Sequence, residues 1–130
     1  MSIMERNDRL RTQVHDLLRK ILGPCTFPGA AALRAQVPMV NLAPSPLTLL
    51  ALKVEGEAPP SDFMQGPIPV RALVTNVRGE LIGEIIIWAV NGYLAKLEYA
   101  WTTDDPPVVL PPLEALTLTQ GDQHSTGLTQ

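Results

Sequence analysis

The sequence predicts an α+β fold, a two-layer sandwich. An antiparallel sheet of about four strands, ending in a C-terminal meander, lies under an N-terminal amphipathic helix and a short second helix. Three observations predict it. Residues 3–22 carry apolar side chains at helical period. Residues 81–101 hold two β-forming runs joined by Asn91-Gly92, the dipeptide that best accepts the positive φ of a tight hairpin turn. One face of that hairpin needs an apolar cover, and the N-terminal helix is the one available.

Taken in order, Leu10, Val14, Leu17, Leu18, Ile21 and Leu22 share one helix face. Ser2 with Glu5 three residues on fits a capping box, and Gly23-Pro24 stops the helix. His15 lies beside the polar face and has no partner at metal-ligand spacing. Residues 27–36 read as a second, short helix with Pro28 in its first turn and Val37-Pro38 as its break. Cys25, between the helices, has no general base near it in sequence and reads as a small buried apolar residue. As the single cysteine it excludes an internal disulfide and a cysteine-based zinc site.

Residues 41–46 read as a proline-punctuated turn and 47–54 as a strand with two apolar faces. Residues 55–67 read as a long loop, with Phe63 and Met64 as its anchors. A strand over 68–77 and a turn over 76–80 lead into the hairpin, 81–90 and 93–101. A two-residue turn sets opposed pairs Val90/Tyr93, Trp88/Ala95, Ile86/Leu97, Glu84/Tyr99 and Ile82/Trp101, and that face is expected to look into the core. Glu84 is its one charged member. Residues 102–112 hold Pro106-Pro107 and Pro111-Pro112 and should run extended, docked through Val108, Val109, Leu110, Leu113 and Leu116. The expected domain covers 1–118, followed by a disordered polar tail, 119–130, that includes His124.

The chain has 130 residues, a net charge of −3 and 45% apolar residues, so a single globular domain is expected. The acidic balance argues against a nucleic-acid partner. No run approaches the ~18 apolar residues of a membrane span, and the charged N-terminal stretch does not read as a signal peptide, so a cytoplasmic protein is expected. No phosphate-binding glycine loop or nucleophile-base set is present; no cofactor, no metal and no enzyme activity are expected. Residues 1–20 hold five Lys/Arg, whereas after Lys96 there are none, only Glu98, Asp104, Asp105, Glu114 and Asp122.

The run N-G-Y-L-A-K-L-E-Y-A-W-T-T-D-D-P-P-V-V-L-P resembles the ending of small uncharacterised actinobacterial proteins, and similar endings occur in immunity-type proteins that neutralise bacterial toxins. The matching positions are Gly92, Tyr93, Leu97, Glu98, Tyr99, Asp105, Pro107, Leu110 and Pro111, and F-P-G-A-A-A-L-R-A-Q-V resembles the early helix of that group. Some of those relatives carry a cysteine-rich segment after that helix; residues 40–52 have no cysteine, so no metal-linked role carries over. The resemblance bears on the fold more than on an activity; beside it, the leading expectation is a non-catalytic cytosolic protein-binding module of immunity type.

The residues expected to carry binding are Glu98, Tyr99, Trp101, Asp104 and Asp105, the acids steering a protein partner and the aromatics anchoring it. A second reading is a small-molecule site or enzyme with a pocket between helix and sheet, Glu84 being its polar group. A third is a structural homodimer formed through a sheet face or edge.

Overall fold

The computed structural model describes residues 2–120. Helix α1 (Ile3–Leu22) begins with the expected capping box. The Glu5 amide donates to Ser2 Oγ at 3.1 Å, and the Ser2 amide donates to Glu5 Oε1 at 2.9 Å. The Ser2 backbone bond, then its side chain, hold the Glu5 carboxyl below the usual carboxylate range. Val14, Leu17, Leu18, Ile21 and Leu22 are buried, as the period predicts. Helix α2 is shorter than expected, Ala30–Gln36. Its N-cap is Gly29 at φ 94, a left-handed backbone that cannot continue the helix toward the N-terminus, and a Cβ there would collide with Ser61 Oγ. Arg34 of α2 donates to Leu22 O, the last carbonyl of α1, which also accepts from the Cys25 amide, and to Cys25 O in the linker. Cys25 is buried with its thiol on Ile21 O, and burial pushes its pKa up against the opposing charge of Arg34. His15 Nε2 lies 2.8 Å from Val40 O, so that nitrogen carries the proton and ties α1 to the first strand.

Among the described residues seven strands form one antiparallel sheet, not four: β1 (Val40–Ala43), β2 (Leu49–Val54), β3 (Gln65–Pro67), β4 (Val70–Thr75), β5 (Leu81–Val90), β6 (Tyr93–Trp101) and β7 (Leu116–Gln120). Their order is β1-β2-β6-β5-β4-β7, and β3 shares with β4 one edge of the long β5. The four expected strands are the four interior ones. The additional three are two edges and a three-residue piece. β1 lies in the segment read as a turn and is stopped at Pro44; β3 lies in the segment read as a loop. β7 follows the proline-rich connection and pairs with β4 through Gln120, two residues past the expected boundary. Residues 121–130, the rest of the expected tail, lie outside the described residues. Edge strands are short and carry prolines and polar residues, which weakens their sequence signal.

The hairpin turn is as expected, with Asn91 at φ 54 and Gly92 at φ 83, and with Val90 opposite Tyr93 and Ala89 opposite Leu94. The register then shifts by one. Trp88 opposes Lys96, Ile87 opposes Leu97, Ile85 opposes Tyr99 and Gly83 opposes Trp101, which leaves Ala95 as the extra residue of a bulge. The expected inner face is therefore corrected. On β5 the buried residues are Gly83, Ile85, Ile87 and Ala89, while Glu84, Ile86, Trp88 and Val90 lie half-buried on the outer face. On β6 the bulge puts Leu94, Leu97 and Tyr99 on one buried side, although a regular strand would put Leu94 on the face opposite the other two.

Gln36 accounts for this bulge. Fully buried, it accepts from the Leu94 amide at 2.9 Å and donates to Gly92 O at 2.9 Å and Pro59 O at 3.2 Å. β2 reaches β6 only at residues 96–98, so the Gln36 carboxamide serves the hairpin tip as a strand would. The Ser61 amide also donates to Gly92 O at 2.7 Å, and a Cβ on Gly92 would meet Ser61 O at 2.7 Å. Phe63 anchors the same loop edge-to-face on Phe27, ring centroids 5.3 Å apart, whereas Met64 is exposed.

Candidate functional site

β6 ends on one side of β5, and β7 begins on the far side of β4. The connection must therefore cross β5 and β4 at the end where they are joined by the 76–80 turn. Its proline pairs keep it out of helix and sheet until a single 3-10 turn, Leu113–Ala115. Leu110 is buried and Leu113 packs against the core, so the connection docks as expected. It docks by Leu110 alone of its apolar triplet: Val108 is 86% and Val109 68% exposed.

Between this connection and the sheet lies an open cleft of about 590 Å³, within the size range of ligand sites. Its walls include Val74, Ile82, Tyr99, Trp101 and Leu110, and its margin carries the exposed side chains of Val77 and Val108. Ile82 reaches it through a second irregularity. Val74 pairs with Gly83 but Thr75 with Leu81, so Ile82 is unpaired and packs against the core despite its outer-face parity. Among the described residues the polar lining consists of Thr75, Asn76, Thr103, Glu114 and Tyr99, with no Lys, Arg, His or Cys.

Tyr99 is 4% exposed. Its ring lies against Gly83, where an added Cβ would stand 2.8 Å from Cε1 and 2.6 Å from Ala100 O. β5 thus needs glycine there for close approach, not for a turn. Burial pushes the Tyr99 phenol above its usual value. Trp101, across from Gly83, is 41% exposed at the mouth. Asp104 and Asp105 are exposed and sit between Thr103 and Pro107, both of which line the cleft; Thr103 Oγ1 donates to Asp105 O at 2.9 Å.

Four of the five expected binding residues, Tyr99, Trp101, Asp104 and Asp105, thus come together at this end. Glu98 does not. It lies on the outer face, accepts from Trp88 Nε1 at 3.0 Å, and has Lys96 near it, whose Nζ is 5.8 Å from the Trp88 ring centroid. Glu84 is also displaced from its expected place. It opposes Ala100 instead of Tyr99, and both its oxygens are held by Arg71, at 2.9 and 3.2 Å. The pocket expected between helix and sheet around Glu84 is replaced by the cleft between sheet and connection. The sequence reading named neither Val74, Ile82 nor Val77 as site residues; the signal within reach was an apolar triplet, 108–110, between two proline pairs, too long for the one anchor it supplies.

Among the described residues no group of His, Cys, Asp and Glu is placed to hold a metal, and no helix is long and apolar enough to cross a membrane. The arrangement is that of an α+β protein whose described residues form a seven-stranded antiparallel sheet with a largely apolar cleft at one end, Glu114 in its wall. No protein-family model matches the chain, and no curated protein or solved structure is significantly similar to it.

Proposed function

We propose that the protein is a non-catalytic cytoplasmic binding module that takes an apolar segment of a protein partner into the cleft, with Asp104 and Asp105 attracting basic residues of that segment. The observation that carries this is the exposed apolar rim. Trp101, Val77, Val108 and Val109 stand in water around a concave apolar surface, and contiguous exposed apolar surface of this kind is favoured at binding sites. The acids supply the sign of the partner: from Glu98 onward the described chain has acidic side chains and no Lys or Arg. Neutralisation of a toxin is the form of this reading that the sequence resemblance suggests.

The test has two arms. Products of neighbouring genes are offered to the immobilised protein, and a displayed peptide library is selected on it. Selected peptides should pair aliphatic or aromatic residues with Lys or Arg, and any bound protein should be released by Asp104→Lys/Asp105→Lys. Binding that ignores both this double charge reversal and Val108→Asp would remove the cleft from the account.

A further inference from the structure

We infer that Tyr99 is the polar anchor of the cleft, its hydroxyl donating to a neutral carbonyl carried by the apolar group that enters. This rests on the cleft being a binding site, as proposed above, and adds what the occupant must carry.

Tyr99 is 4% exposed, yet its hydroxyl has no hydrogen-bond partner among the described residues. A buried donor left unpaired is costly, and buried polar groups are ordinarily satisfied. This chain follows that rule elsewhere: Gln36 makes three hydrogen bonds and Ser61 Oγ two. Tyr93, the other tyrosine, has its hydroxyl on Ala58 O at 3.1 Å. The exception falls on a side chain that lines the cleft. Its ring is seated by Gly83, whose lack of a Cβ leaves the room the ring edge occupies, so the hydroxyl is held in place before any occupant arrives.

The charges around the hydroxyl select the acceptor. Among the described residues no Lys, Arg or His lines the cleft, Glu114 is in its wall, and Asp104 and Asp105 are exposed in the short segment between the lining residues Thr103 and Pro107. A carboxylate or phosphate would be desolvated there without a counter-charge and repelled by the rim. Burial keeps the phenol protonated, as a donor. An amide or ketone carbonyl accepts from it and carries no charge, and a peptide backbone supplies one beside every apolar side chain.

The probes are N-octylacetamide and octanoate, matched apolar chains that end in a neutral carbonyl or a carboxylate. Each is titrated into the full chain while backbone amide and indole NMR signals are followed, in the wild type and in Tyr99→Phe, which deletes one oxygen and keeps the ring over Gly83. The amide should shift the signals of Trp101, Thr103 and Val108, and its dissociation constant should rise roughly two- to twelvefold in Tyr99→Phe, the range of one net hydrogen bond. Octanoate should bind the wild type more weakly than the amide. Equal amide affinity in the two proteins, with the same signals shifted, overturns the anchor and leaves the cleft standing as a site. Tighter binding of octanoate overturns the neutral acceptor. An amide that moves no cleft signal overturns the inference, while the peptide selection decides the broader proposal separately.

Discussion

The outer face of the sheet and the cleft at its Trp101 end both expose large apolar side chains, and they treat them in opposite ways. On the outer face Trp88 lies beneath its own polar cover: Glu98 accepts its indole proton and Lys96 stands over its ring. Nearby, Arg71 closes on Glu84. Each polar group there is answered by a neighbouring strand, as cross-strand pairs on a solvated face generally are. At the cleft Thr103 and Asn76 find partners close by in the chain, but the large apolar side chains of the rim have no such cover. Val77, Val108 and Val109 are exposed, Trp101 is part-exposed, and Tyr99, itself buried, has no partner for its hydroxyl among the described residues. The half-buried tryptophan of one face is covered by polar neighbours and the other is left open beside an apolar hollow, and the proposed binding surface is the second.

The comparison breaks most visibly through stability. Trp88→Ala should cost about 3 kcal/mol in urea unfolding, because it removes a large half-buried ring together with the contacts of Lys96 and Glu98. It should leave the affinity of cleft-selected peptides unchanged. Val108→Asp should do the reverse. It should weaken those peptides by about 2 kcal/mol, the loss expected at a central apolar contact, yet shift unfolding by less than about 0.5 kcal/mol, as exposed substitutions usually do. Both are read from paired unfolding and calorimetric titrations; a Trp88→Ala protein that folds and no longer binds would join the two surfaces into one.

Tyr99→Phe sharpens the comparison with a smaller effect. A hydrogen-bonded buried tyrosine loses stability on this change, whereas an unpaired one should be neutral or gain up to about 1 kcal/mol at neutral pH. The alkaline limb gives the sign independently. Burial raises the Tyr99 pKa in the folded state, so the unfolded chain releases this proton first. The associated stability is full below the unfolded value of about 10 and is lost as pH climbs from there toward the folded value. Tyr99→Phe should remove that part of the alkaline decline in unfolding midpoint, and a decline identical in the two proteins would show the phenol to be solvated.

The same contrast explains what the sequence could convey. The capping box, the helix period, the Asn-Gly turn and the four interior strands follow from neighbours in the chain, and all four were legible. The faces of the hairpin were not. They depend on Ala95 being extra, and that depends on the Gln36 carboxamide reaching the Leu94 amide, 58 residues away in the chain. A period-two reading carried past that point inverts every β5 residue except Ile82, which a second bulge returns to the core side. Tyr99 and Trp101 kept their inward placement because the turn-side inversion and the bulge cancel beyond Ala95. Glu84 did not share it, because it lies on β5, which has no such correction; Glu98 alternates outward from Leu97 and Tyr99, off the face first expected to be the core one.

The chain has two tryptophans, one on each surface, and therefore two indole N–H signals. Titration of a cleft-selected peptide, followed by nitrogen-edited NMR, reads both at once. The account predicts that the Trp101 indole signal moves and saturates while the Trp88 signal, held by Glu98, stays in place. Movement of the Trp88 signal with Trp101 unchanged would place binding on the outer sheet face and contradict it.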